Sequence, residues 1–278
     1  METFFSFLTK RVDDCSSLLC VGLDPHPSDL PSPTAQAART FCLQLIKATS
    51  SYAAAFKPNA AFFELYGPEG WVALKDVIMA VKEQSDRLGS MIPVILDAKR
   101  GDIASTAEAY AKSAFERLGA NAITLSPYLG QDSINPYLAY KEKGVFLLCK
   151  TSNPGAADLQ DLSVVSGGAA QFPVPLHVHI AKLAQKWNTA DNIGLVVGAT
   201  QPEALVRIRS AAPDLWFLVP GVGTQGGDLE TALRSGLRAD GKGLLINISR
   251  GISRAKDPSL AAAEIRDKIV NFKYALKN

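Results

Sequence analysis

The 278 residues are 47% hydrophobic and 20% charged, with 29 basic and 27 acidic side chains and a formal net charge of +2. That balance excludes a disordered chain and offers neither a basic surface for nucleic acid nor an acidic tail. One domain spanning residues 1–278 is expected, because a single barrel of alternating strands and helices consumes a chain of this size.

The opening METFFSFLTKRVDD has no basic run leading into a long apolar segment, and nowhere do about 18 uncharged apolar residues follow one another. A short N-terminal helix, no membrane contact and a soluble, unexported, cytoplasmic protein are therefore expected. Cys15, Cys20, Cys42 and Cys149 occur singly, without a CxxC pair, as suits reduced structural thiols. The first predicted strand, SLLCVGLD (17–24), ends at Asp24 and is followed by His26, read as a solvated residue near the rim. A helical pattern over 34–50 leads to YAAAFKP (52–58), which ends at Lys57. Glu64 and Glu69 then read as surface or helix-cap carboxylates, and Phe41, Trp71 and Met79 as core.

A helix over 70–89 leads to IPVILD (92–97) and so to the charged run DAKRGD, with Asp97 and Lys99 two apart at a strand end. A helix over 104–119 precedes NAITLS (121–126), and VFLLCK (145–150) brings Lys150, Ser152 and Asn153. Gly89, Gly119 and Gly144 stand where helices end, as left-handed caps. The segment from Ser152 to Phe172 is the one long loop, a lid candidate. Helices over 173–187 and 201–212 flank NIGLVVG (192–198), after which come LWFLVP (215–220), the glycine-rich PGVGTQGGD, and GLLINIS (243–249) ending at Ser249 and Arg250. His177 and His179 form an H-x-H pair, but at a helix start residues two apart face different ways, so a metal site is not expected.

Eight apolar runs alternating with helical patterns predict an α/β fold, a single (β/α)8 TIM barrel, with an open doubly wound sheet as the alternative. In such a barrel the site is built at the C-terminal ends of the strands, where ionisable groups gather here. Charges in a partly dehydrated pocket are tolerable when opposite signs alternate, as Lys57, Asp97 and Lys99 can. That network either braces the rim structurally or sets a carboxylate against a substrate anion and an ammonium where negative charge develops. The glycines Gly221, Gly223 and Gly226 match G-x-G-x-x-G, but the acid expected about 20 residues later is replaced by Ser249-Arg250. A single phosphate, with Arg250 as its cation, fits better than a dinucleotide, although the glycines could serve only as turn formers.

The run DAKRGDI resembles the D-x-K-x-x-D-I signature of the orotidine 5′-monophosphate decarboxylase family. GLDP, FKPN, KTSNPGA, PGVGTQGGD and NISRGI stand beside it in the order that family requires, and the wording is similar to its longer bacterial-type branch. The resemblance implies loss of CO2 from orotidine 5′-monophosphate to give UMP, with no metal and no cofactor. It implies that Asp97 lies against the departing carboxylate, that Lys99 stabilises and protonates the carbanion, and that Lys57 orients Asp97. It further implies that Asp24 holds ribose hydroxyls, Ser152 meets the pyrimidine edge, Gln225 spans phosphate and base, and the Gly223 turn with Arg250 takes the phosphate. Asp102 and Thr106 would complete the partner's site in a homodimer. Three alternatives stand beside this reading. A metal-dependent sugar-phosphate relative would need a carboxylate where Lys57 stands, a Schiff-base aldolase would need a lysine of lowered pKa, and the last is a non-catalytic phosphate binder.

Overall fold

The computed structural model describes residues 2–165, 172–223 and 226–276. Eight strands, β1 (Leu19–Leu23), β2 (Ala55–Pro58), β3 (Ile95–Arg100), β4 (Ala122–Leu125), β5 (Gly144–Lys150), β6 (Ile193–Val197), β7 (Phe217–Pro220) and β8 (Leu244–Ile248), form one sheet. All its pairings are parallel, in the order β2-β1-β8-β7-β6-β5-β4-β3. The two end strands are joined only by isolated bridges, Phe56 to Val94 and Asn59 to Asp97, so the barrel is nearly closed with a seam between β2 and β3. Every residue of β1, β4, β6 and β8 is buried, which is why these strands read as unbroken apolar runs rather than alternating ones.

Helices α1 (Phe4–Cys15), α2 (Ala35–Thr49), α3 (Gly67–Leu88), α4 (Ala104–Lys112), α5 (Leu176–Trp187), α6 (Pro202–Ala211), α7 (Leu229–Gly236) and α8 (Pro258–Ala275) surround the strands. Helix α1 carries Phe4, Phe5 and Leu8 into the core, where Phe4 meets Phe146 edge-on at 6.0 Å and Phe5 stacks on Trp216 at 6.3 Å. Its buried Arg11 donates to the carbonyls of Ser50 and Ala53 at 2.6 and 2.9 Å, tying α1 to the turn before β2. Gly144 is no helix cap: it opens β5, and a Cβ there would stand 2.5 Å from the Phe4 ring. Gly89 does cap α3 in the left-handed conformation at φ 62°.

Two connections depart from the regular alternation. After β4 the chain makes a 3-10 turn, Gln131–Ser133, and one α-helical turn, Asn135–Leu138, where pairing eight strands with eight helices predicts a full helix. The long loop after β5 contains a short helix, Ala157–Gln160, and a two-residue antiparallel pairing of Ser163–Val164 with Val174–Pro175. Residues 166–171 of the lid candidate lie outside the described residues. Phe41 and Trp71 pack against the core as expected, whereas Met79 is half exposed on α3. All four cysteines are free and buried, and burial pushes the Cys20 thiol up to about 12, so it holds its proton at neutral pH. Among the described residues no helix is long and apolar enough to cross a membrane.

Candidate active site

The ionisable strand ends converge at one mouth of the barrel. Lys57, from β2, is buried and donates to Asp97 Oδ2 at 2.8 Å, while Asp24 Oδ1 at the end of β1 lies 3.9 Å from the same ammonium. Lys99 donates to the other oxygen, Asp97 Oδ1, at 2.5 Å, with half its side chain exposed to the cavity mouth. Acid and base therefore alternate in the order Asp24, Lys57, Asp97, Lys99, the arrangement that lets buried charges coexist.

Burial alone would lower the Lys57 pKa, but Asp24 and Asp97 outweigh it and raise the ammonium above its usual 10.5. Burial likewise pushes Asp97 upward, and the two lysines more than reverse this, holding the carboxyl well below 3.8. Both groups are charged across the physiological range.

Sequence spacing places Asp97 and Lys99 on one face of an ordinary strand; the structure reaches their pairing differently. The β3–β4 register runs Ile95 to Ala122 and Leu96 to Ile123, then breaks until Arg100 meets Leu125. Residues 97–99 thus stand opposite Thr124 alone, and Lys99 adopts a left-handed backbone at φ 48°. A non-glycine residue in that conformation is held by its surroundings, and such residues cluster at functional sites.

Two adjoining cavities share Lys57, Asp97 and Pro220. One, of about 320 Å³, is lined by Asp24, His26, Asn59, Phe62, Asn247, Ser249 and Arg250 together with Gly221 and Val222 of the glycine turn. The other, of about 460 Å³, is lined by Lys99, Thr124, Thr151, Ser152, Asn153 and Gln160 over an apolar floor of Leu148, Val196 and Leu218. A polar chamber beside an apolar one suits a ligand with a charged end and a flat ring.

In the polar chamber Ser249 donates to Asp24 Oδ2 at 2.5 Å, and Gly22 leaves room for it, since a Cβ there would fall 1.9 Å from Ser249 Oγ. Asp24 Oδ1 and Asn247 Oδ1 are buried without a hydrogen-bond partner among the described residues, two acceptors available to hydroxyl donors. Arg250, exposed at the start of the turn Arg250–Ser253, faces the same chamber. In the glycine turn, Gly221, Gly223 and Gly226 take positive φ of 98°, 82° and 88°, which L side chains avoid. The Gly223 N–H donates to Gly227 O at 2.8 Å within the turn. The N-terminus of α7 is occupied by its own cap, Asp228, which accepts from Thr231 N at 2.7 Å. The cation at this end of the chamber is Arg250.

Asp102 and Thr106 line neither cavity: Asp102 accepts from the Ile103 N–H at 2.8 Å, and Thr106 is exposed on α4. Gln225 lies outside the described residues. Glu64 is not a free surface carboxylate, because it pairs with Arg100, whose guanidinium also stacks on Tyr110 at 5.1 Å. His26 is exposed as expected, yet its ring packs 5.0 Å from Phe62 in the chamber wall. His177 is buried, and its Nδ1–H donates to Gln160 O at 2.8 Å. Among the described residues no three His, Cys, Asp or Glu side chains form a set that could hold a metal ion.

Thr124, Asn247 and Gln160 are site residues that reading strand ends for ionisable groups passes over, because none carries charge. The nearest sequence signal for Thr124 is its place two residues before the end of the predicted strand NAITLS (121–126).

Comparison with known proteins agrees with this geometry. The model of the orotidine 5′-phosphate decarboxylase / HUMPS family matches residues 17–265. The chain is 46% identical over 277 residues to the orotidine 5′-phosphate decarboxylase of Roseiflexus castenholzii, covering 96% of this chain and 97% of that one. It is 50% identical to the enzyme of that name from Verminephrobacter eiseniae, across 85% of this chain and 84% of the relative. The solved structure of Leishmania donovani OMP decarboxylase superposes with a TM-score of 0.85 at 51% identity, covering 98% and 99% of the two chains. UMP synthase from the same organism gives 0.88 at 53% identity, with this chain spanning 57% of that longer one. With its motifs at the strand ends, its charges alternating at the barrel mouth and its whole length matched, the chain belongs to the orotidine 5′-phosphate decarboxylase / HUMPS family.

Proposed function

We propose that the chain decarboxylates orotidine 5′-monophosphate to UMP and CO2, the reaction that completes pyrimidine nucleotide synthesis. The observation that carries this reading is the Lys99 ammonium held on Asp97 beside Lys57 at the junction of a polar and an apolar cavity. The bond from C6 to the carboxylate breaks, CO2 leaves, and the electron pair stays on C6. The Lys99 ammonium stabilises that pair and then transfers a proton to C6, giving UMP and a neutral amine that water reprotonates. Asp97, kept ionised by its lysines, stands against the substrate carboxylate and favours its departure.

The phosphate and ribose belong in the polar chamber, with Arg250 on the phosphate and the orphaned Asp24 oxygen accepting from ribose hydroxyls. Binding energy gathered there can be used at the reacting carbon. The pyrimidine belongs over Leu148, Val196 and Leu218, with Ser152 at its edge. Gln225 and the Gly223 turn complete the phosphate end. Asp102 and Thr106 have no role within their own chain's cavities, which fits a homodimer in which each protomer lends them to the other. Free buried thiols fit a reducing, cytoplasmic compartment.

Of the alternatives, the metal-dependent sugar-phosphate chemistry is disfavoured by Lys57, whose ammonium fills the space between Asp24 and Asp97 that a divalent cation would take. The raised Lys57 pKa likewise disfavours a Schiff base, which needs a neutral amine. The deciding experiment follows the ultraviolet absorbance change of orotidine 5′-monophosphate incubated with the purified chain in excess EDTA. Full turnover is expected; absent or chelator-sensitive turnover would overturn the reading.

A further inference from the structure

The break in the β3–β4 register leaves the Ala98 and Lys99 N–H groups without strand partners. Both donate to one atom, Thr124 Oγ1, at 3.1 and 3.0 Å. The same hydroxyl donates its proton to Asp97 Oδ1 at 3.1 Å, the oxygen that also receives Lys99 Nζ. A hydroxyl has one donor and two acceptor sites, so Thr124 uses all three on consecutive residues 97, 98 and 99. It is 1% exposed, and no water is needed to complete its bonding.

We infer that Thr124 is a positioning residue of the decarboxylase: its hydroxyl holds the β3 bulge so that Asp97 and Lys99 keep their places over the reacting carbon. A regular ladder would satisfy the two amides by backbone carbonyls and would not admit the left-handed Lys99. Here the side chain does the work of the missing ladder and also fixes the rotation of the Asp97 carboxylate, whose second oxygen is held by Lys57. With both carboxylate oxygens occupied, Asp97 has one orientation, and Lys99 is aimed by its own backbone.

This inference rests on the decarboxylase reading, and its test is arranged so that the two fail separately. The unaltered chain is assayed first, and absence of turnover removes the reading itself. Given turnover, Thr124→Val keeps shape while deleting all three hydrogen bonds, and Thr124→Ser restores them. The expected result is a fall in kcat of about 10- to 100-fold for Val with KM changed less than about threefold, because displacement near the reacting atoms costs rate while Arg250 and Asp24 still bind. Ser should recover kcat to within about threefold of the parent. Titration with UMP by calorimetry counts intact sites, so that a partly unfolded preparation is not mistaken for a slow one. Should Val fail to fold, Thr124→Ala and Thr124→Ser are compared in its place. A Val or Ala variant with kcat within twofold of the parent, or a Ser variant as slow as the one lacking the hydroxyl, overturns the inference.

Discussion

Two buried lysines in this barrel invite comparison. Lys57, with its side chain 5% exposed, stands between Asp24 and Asp97 in the mouth; Lys150, 2% exposed, pairs with Asp161 Oδ1 at 2.6 Å at the end of β5. Beside each cluster the strand register slips, between Leu96 and Arg100 in β3 and between Leu148 and Lys150 in β5. The difference is in the partners. The Lys57 cluster has two acids and a second lysine, all lining a cavity. The Lys150 cluster has one acid, itself 43% exposed, and a histidine, His177, whose Nδ1 lies 3.3 Å from Asp161. One network faces a cavity, and the other pins a loop: Gln160, next to Asp161, receives the Thr151 N–H and returns a bond to its hydroxyl at 2.9 and 2.8 Å. A buried charge is thus no sign of chemistry by itself; a cavity beside an alternating chain of charges is the better sign.

The largest test of that contrast is Lys99→Ala. Losing both the charge stabilisation and the proton should cut kcat by at least about 10⁴-fold while UMP still binds, because the polar chamber is untouched. Persisting turnover would reassign the proton donor. Next comes the same substitution made in both clusters. Lys57→Met strands Asp24 and Asp97 against each other, so a loss of about 3 to 5 kcal/mol in unfolding free energy is expected, with turnover lost. Lys150→Met frees Asp161 to enter solvent and replaces an ammonium by an apolar chain of similar length, so kcat should stay within about threefold. Equal losses of turnover in the two Met variants would erase the distinction between site and latch.

A smaller effect is expected from Asp161→Ala, which leaves the Lys150 ammonium buried without its carboxylate. Its melting temperature should fall by about 5 °C, more than that of Lys150→Met, and calorimetry of the pair measures the asymmetry. The smallest is a pH effect. Burial lowers the His177 pKa below 6.5, helped by Lys150 and Arg207 and opposed by the Gln160 carbonyl and Asp161. The unfolded chain therefore binds this proton first, and the stability His177 contributes is complete above pH 6.5 and declines as the pH falls through the folded value. His177→Gln should flatten the slope of melting temperature below pH 6.5, whereas Lys57 and Asp97, displaced outward in opposite directions, add no slope near neutrality.

Much of this was legible in the chain. Strands buried on both faces, such as LLINI in β8, leave uninterrupted apolar runs, and the charged residues that end them mark one rim. A full helix after β4 is replaced by the short turns Gln131–Ser133 and Asn135–Leu138, and a count of alternating elements cannot see that. Predicted β3 stops at Asp97, while the real strand continues to Arg100 through its bulge. A register slip depends on how two strands pair, so no pattern within either strand announces it, and Thr124, whose function is created by the slip, stays hidden with it. Glu64 escaped for a similar reason: its partner Arg100 is 36 positions away and meets it only once the barrel curls.

The seam between β2 and β3 has a last consequence. Those strands share two isolated bridges, Phe56 to Val94 and Asn59 to Asp97, yet Lys57 on one reaches Asp97 on the other. The ion pair therefore acts as a rivet across the least laced joint of the ring. Substitutions that disable the chemistry at either residue should also loosen the wall, and amide exchange should quicken first along this line.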